Sequence, residues 1–146
     1  MATTTASISL SSSDLLSDDM SLSASMTLYQ NGTTATGLDE VNYHRVNIPT
    51  GTQFDLIAES TALSEDASYV YIINKNTDVT DYVLIDINSE EIGRLYAGDW
   101  LFMPWDCDLT AAANDSSIEI EAVGNEATIE YALFHNGETL PTSSDA

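Results

Sequence analysis

Few side chains in this sequence could do chemistry, and they are scattered. Histidine occurs only at His44 and His135, and cysteine only at Cys107. A hydrolytic triad needs a base held against a nucleophile, and no Gly-x-Ser-x-Gly turn presents a serine for that purpose. Cys107 stands between Asp106 and Asp108, whose carboxylates disfavour a thiolate, so it reads as a small side chain at a strand end. Two histidines and one cysteine without close spacing do not make a zinc site. Asp14, Asp18 and Asp19, together with the Asp106/Asp108 pair, offer hard oxygen ligands, but the twelve-residue calcium-loop pattern is missing. They read as solvated faces with loose counterions. No Gly-rich turn leads from a strand into a helix to cradle phosphate. No catalytic, metal or cofactor-binding residue is assigned, and the expectation is a protein that is not an enzyme.

The densest cluster of recognition-type side chains is "RLYAGDWLFMPWD", residues 94–106, with Tyr96, Trp100, Phe102 and Trp105. Aromatic rings can stack on sugars, which supports a carbohydrate-binding adhesin that uses Tyr96, Trp100 and Trp105. The competing reading is a two-strand hairpin that puts Leu95, Trp100, Phe102 and their neighbours into a core, with any remainder at an interface. Two-residue alternation favours the core reading. Asn31 and Asn114 match the glycosylation sequon, which means little without an export signal.

The elements that would carry these residues are strands. In "MSLSASMTLY", Met20, Leu22, Ala24, Met26 and Leu28 take every even position, while Ser or Thr fills the odd positions from 21 to 27. That is the period of a strand, whose successive side chains point to opposite faces. Ile8 and Leu10 share the even phase, and "SSSDLLSDD" breaks the two stretches. The reading is an extended N-terminal β arm, a lone ribbon whose apolar side must be covered by another polypeptide. Its inter-subunit contacts would be Ile8, Leu10, Leu15, Leu16, Met20, Leu22, Met26 and Leu28.

From Val41 onward short apolar runs alternate with turn signals: "VNYHRVNI", "QFDLIA", "YVYIIN", "DYVLIDI", "EIGRLY", "WLFM", "SIEIEAV" and "TIEYALF". "YVYIIN" is continuous rather than alternating, as expected of a central strand covered on both faces. The last two runs, joined at Gly124-Asn125, read as the clearest hairpin. About eight strands at this spacing predict an all-β fold, an antiparallel β-sandwich of jelly-roll type. The domain reading is an arm and connector over residues 1–40, the sandwich over 41–136 and a C-terminal tail over 137–146.

Composition narrows the function classes. The 146 residues include 24 Asp plus Glu against only Arg45, Lys75 and Arg94, a formal net charge of −21. Three scattered cations cannot neutralise a run of phosphates, so nucleic acid and anionic membranes are poor partners. The same charge makes copies repel one another unless salt, divalent ions or an apolar interface compensates. No stretch reaches the ~20 apolar residues of a membrane span, and the N-terminus lacks the basic and apolar regions of a secretory signal.

"SLSSSDLLSDDMSLSASMTL" (residues 9–28), "GRLYAGDWLFMPWD" (93–106) and "ATIEYALFHN" (127–136) resemble small virion structural proteins of tailed bacteriophages, those of marine phages and cyanophages in particular. The resemblance implies a β-sandwich that decorates the capsid or builds part of the tail or neck, without enzymatic activity. It transfers no site residues. The expectation is a capsid decoration (cement) protein on the virion exterior, bound to the major capsid protein and to itself as a homotrimer. Alternatives are a tail, neck or fibre component, or the carbohydrate-binding module above.

Overall fold

A computed structural model describes residues 4–29, 38, 40–57, 67–87, 89–105 and 118–135. The strands are β1 (Thr4–Ser12), β2 (Met20–Leu28), β3 (Glu40–Ile48), β4 (Phe54–Ile57), β5 (Ala67–Asn74), β6 (Tyr82–Ile87), β7 (Glu90–Tyr96), β8 (Trp100–Pro104), β9 (Ile118–Val123) and β10 (Ala127–His135). Strands β3 to β10 form two four-stranded antiparallel sheets, ordered β3-β10-β5-β8 and β4-β9-β6-β7. Successive strands alternate between the sheets except at β6–β7, which gives the jelly-roll arrangement of two interleaved Greek keys. The chain is an all-β sandwich.

The inner faces follow from alternation along each strand. Val70 and Ile72 of β5 and Ile129 and Leu133 of β10 meet Val83 and Ile85 of β6 and Ile118 and Ile120 of β9 in one buried cluster. Each such side chain contributes ~1.5–3 kcal/mol of burial, enough for the set to hold the sheets together. Trp105, just past β8, also enters this cluster.

Two sequence readings are corrected by the strand order. The pair joined at Gly124-Asn125 is not a hairpin, because β9 lies in one sheet and β10 in the other. The β7–β8 pair crosses between the sheets in the same way. Turn residues mark where a chain reverses, but not whether the next strand pairs with the last one or crosses over to the facing sheet. Gly124 has φ of +99°, and a Cβ there would collide with the carboxylate of Asp81. Asp81 in turn accepts a 2.9 Å hydrogen bond from Asn125 Nδ2. At the β7–β8 crossing the buried Asn74 donates from Nδ2 to the Leu95 carbonyl at 2.9 Å, and Gly98, at φ +85°, donates its backbone N–H to the Asn74 carbonyl. Side chains and glycines, not strand pairing, therefore fix these corners.

The arm is also corrected. β1 and β2 are not a lone ribbon but an antiparallel hairpin, paired from Thr4↔Leu28 to Ser12↔Met20. The polar break turns the chain back on itself, so each strand satisfies the other's backbone groups. The register sets even residues opposite even residues. One face therefore carries Ala6, Ile8, Leu10, Leu22, Ala24 and Met26, and the other is a ladder of Ser and Thr.

Candidate functional site

Among the described residues, the hairpin is anchored at its base. Tyr69, Phe102 and Phe134 alternate with inward-facing Val70, Met103 and Leu133, so they stand on the face of the β3-β10-β5-β8 sheet turned away from the main core. A second small cluster forms there from Leu28, Leu38 and Tyr69, with Ala6, Phe102 and Phe134 packed against it. Tyr69 and Phe102 stack at 5.4 Å, and Phe102 meets Phe134 edge-on at 6.3 Å. Thr4 Oγ1 donates to the Leu38 carbonyl at 3.2 Å, and the Leu38 N–H donates to the Leu28 carbonyl at 3.3 Å. Leu28 is thus sheltered inside its own chain, and its expected inter-subunit contact is withdrawn.

Beyond this clamp the hairpin and the sheet diverge around an open cleft of about 530 Å³. Ile8, Ala24 and Met26 line it from the hairpin, and Tyr71, Trp100 and Phe102 line it from the sheet. Trp100 is 50% exposed, tilted against Tyr71 at 6.3 Å. Farther out, no described residue closes over the apolar face: Ile8, Leu10 and Leu22 are 43%, 49% and 56% exposed. Met20, at the last rung, is half-buried.

At the tip, Ser12 Oγ accepts the backbone N–H groups of Asp14 and Leu15 at 3.3 and 3.1 Å and donates to Asp14 Oδ1 at 3.0 Å. This shapes a bent loop. It displays Leu15 and Leu16, 69% and 59% exposed, among Asp14, Asp18 and Asp19.

The aromatic stretch does not act as one patch. Trp105 is 5% exposed in the main core, which keeps it from stacking on a ligand. Trp100 and Phe102 lie on the outer face instead of in the core, while Leu101 and Met103 pack inward. "WLFM" is apolar on both faces, so alternation separated the faces without saying which was inside. Tyr96 belongs to the other sheet, 5.0 Å from Tyr82, whose ring lies 4.9 Å from the Arg94 guanidinium. Tyr71, which completes the cleft, was hidden within a run that read as uniformly buried.

Beside the cleft, cross-strand pairing sets Trp100, Ile73, Glu130 and Arg45 in one line across the sheet. Arg45 Nη2 approaches Glu130 Oε2 at 3.1 Å, and Lys75 Nζ lies 3.8 Å from Glu130 Oε1. A hydrogen bond from Tyr43, with help from both cations, holds the Glu130 carboxyl below the usual carboxylate range, and the same bond pushes the Tyr43 phenol up. Two of the chain's three Lys and Arg residues therefore share one carboxylate next to the cleft.

His44 is exposed on edge strand β3, its ring 5.3 Å from that of Tyr131. Among the described residues, no three His, Cys, Asp or Glu side chains come together as a metal site. Cys107 with Asp106 and Asp108, the sequons at Asn31 and Asn114, the His135 side chain and the tail over 137–146 lie outside the described residues.

No family model matches the chain, and no curated protein matches it. Among solved structures it is similar to a cupin protein from Bacteroides fragilis, at 17% identity over 72% of this chain and 73% of that one, with a TM-score of 0.42. The fold is read from the strand order itself.

Proposed function

We propose that this protein is a non-enzymatic structural component of a bacteriophage virion, a capsid decoration protein held on the outer surface of the major capsid protein shell. The carrying observation is the hairpin: an apolar face clamped at one end and open to water along the rest. Contiguous apolar surface of this kind marks a protein contact. Strands β1 and β2 hold no charged residue, so this surface can approach a partner without bringing carboxylates of the −21 chain into the contact. An acidic exterior suits the outside of a shell, away from packaged DNA. The phage assignment itself comes from the sequence resemblance.

Two variants test the reading: deletion of residues 1–30, and Leu10→Asp with Leu22→Asp, which leaves the clamp at Leu28 intact. Both are expected to lose occupancy on purified particles while the sandwich stays folded. Undiminished occupancy of the aspartate variant would remove the hairpin from the mechanism. A sugar-binding reading rests on Trp100 alone, since Trp105 is buried and Tyr96 is on the far sheet. Glycan-array binding lost on Trp100→Ala would revive it.

A further inference from the structure

The molecule carries both a knob and a hole, and it cannot join them to each other. The knob is the hairpin tip, with Leu15 and Leu16 exposed among Asp14, Asp18 and Asp19. The hole is the cleft walled by Trp100, Tyr71 and Phe102, with Arg45 and Lys75 on the same face of the sheet. From the Ile8/Ala24 rung at the cleft, the paired strands run outward four more residues to the Ser12/Met20 rung. At ~3.3 Å per residue the tip therefore starts roughly 13 Å beyond the cleft. The continuous ladder between them keeps the ribbon from folding back onto its own base.

We propose that the hairpin tip of one copy docks in the cleft of the next, with Leu15 and Leu16 entering the aromatic hole and the tip aspartates facing Arg45 and Lys75. This rests on the reading of the hairpin as a docking element and names a second copy of the chain as the occupant of the cleft. Charge selects that partner. The cleft-side cations already share Glu130, but their side chains remain 63% and 41% exposed, and this is the one place on the described surface where two cations sit together. Three aspartates in one loop match it, on a chain whose other surfaces repel copies of themselves. Because knob and hole are different patches, the contact is head-to-tail. It closes into a ring if the rotation allows, and otherwise it propagates.

The test uses the full chain in sedimentation velocity across a salt series. Leu15→Asp with Leu16→Asp destroys the knob and leaves the hole. Trp100→Glu removes an aromatic wall of the hole, sets a carboxylate there against the tip aspartates, and leaves the knob. Each variant alone is expected to be monomeric under conditions where the unaltered chain self-associates, and an equimolar mixture is expected to recover a complex that stops at two chains. If Trp100→Glu does not fold, Ile8→Glu blocks the same cleft from the hairpin side. A monomeric unaltered chain at every salt concentration, or variants that still self-associate, or a mixture that recovers nothing, overturns the proposal. Those results leave the docking reading standing if the Leu10→Asp/Leu22→Asp chain still loses particle occupancy. If it keeps occupancy, that reading fails on its own.

Discussion

The jelly roll and the hairpin are built from the same alternation and end in opposite conditions. In the sandwich, each sheet's apolar face meets another: Ile72 and Ile129 lie against Ile85 and Ile120, all essentially without solvent contact. In the hairpin, Ile8, Leu10 and Leu22 alternate just as regularly, yet among the described residues only the base of the ribbon is covered. A two-residue period fixes that a face exists and must be covered. It does not say whether the same chain supplies the cover.

That contrast breaks most clearly in stability measurements. Ile129→Ala or Ile120→Ala should cost ~2–5 kcal/mol in urea unfolding, because the packed sandwich cannot collapse around the lost volume. Leu10→Ala and Leu22→Ala should stay within ~0.5 kcal/mol in the isolated chain. Equal costs at the two kinds of site would mean that the hairpin is covered intramolecularly after all. Leu28→Ala sharpens the boundary between the regions, since it removes a buried side chain from the clamp and not from the main core. It should extend the fast amide exchange of the outer rungs of β1 and β2 to their base rungs, while β5 and β10 stay protected.

Gly124→Ala acts on the sandwich alone. A positive φ and a clash with Asp81 should together cost on the order of 1–3 kcal/mol, leaving the hairpin's exchange unchanged. The smallest effect concerns Glu130. Its folded pKa is depressed, so its contribution is present above the ordinary carboxylate pKa of ~4.3 and is lost as pH falls through the lower folded value. Glu130→Gln should therefore be slightly less stable than the unaltered chain at neutral pH, with the difference shrinking in acid. A difference that grew in acid would contradict the assigned sign.

The strands themselves were legible, because runs such as "VNYHRVNI" and "SIEIEAV" combine β-branched residues with turn signals at both ends. The two-sheet sandwich followed from their number and spacing. Pairing was not legible: β9 and β10 look like a hairpin locally, and only the long-range partners β4, β6, β3 and β5 assign them to different sheets. The hairpin at the start is only partly legible. Its alternation was plain, but the fold-back depended on "SSSDLLSDD" acting as a loop, which no Gly or Pro announces. The cleft was the least legible feature, because Tyr71 and Trp100 come from runs that are apolar on both faces, and alternation alone cannot orient those.

The most direct measurement is amide exchange over residues 8–22, compared between the dilute chain and the chain assembled on its particle. The expectation is fast exchange at the outer rungs of β1 and β2 in the dilute protein and strong protection on assembly, with β5 and β10 equally protected in both. Outer rungs that are already fully protected in the dilute chain, or that exchange just as fast on the particle, would contradict it.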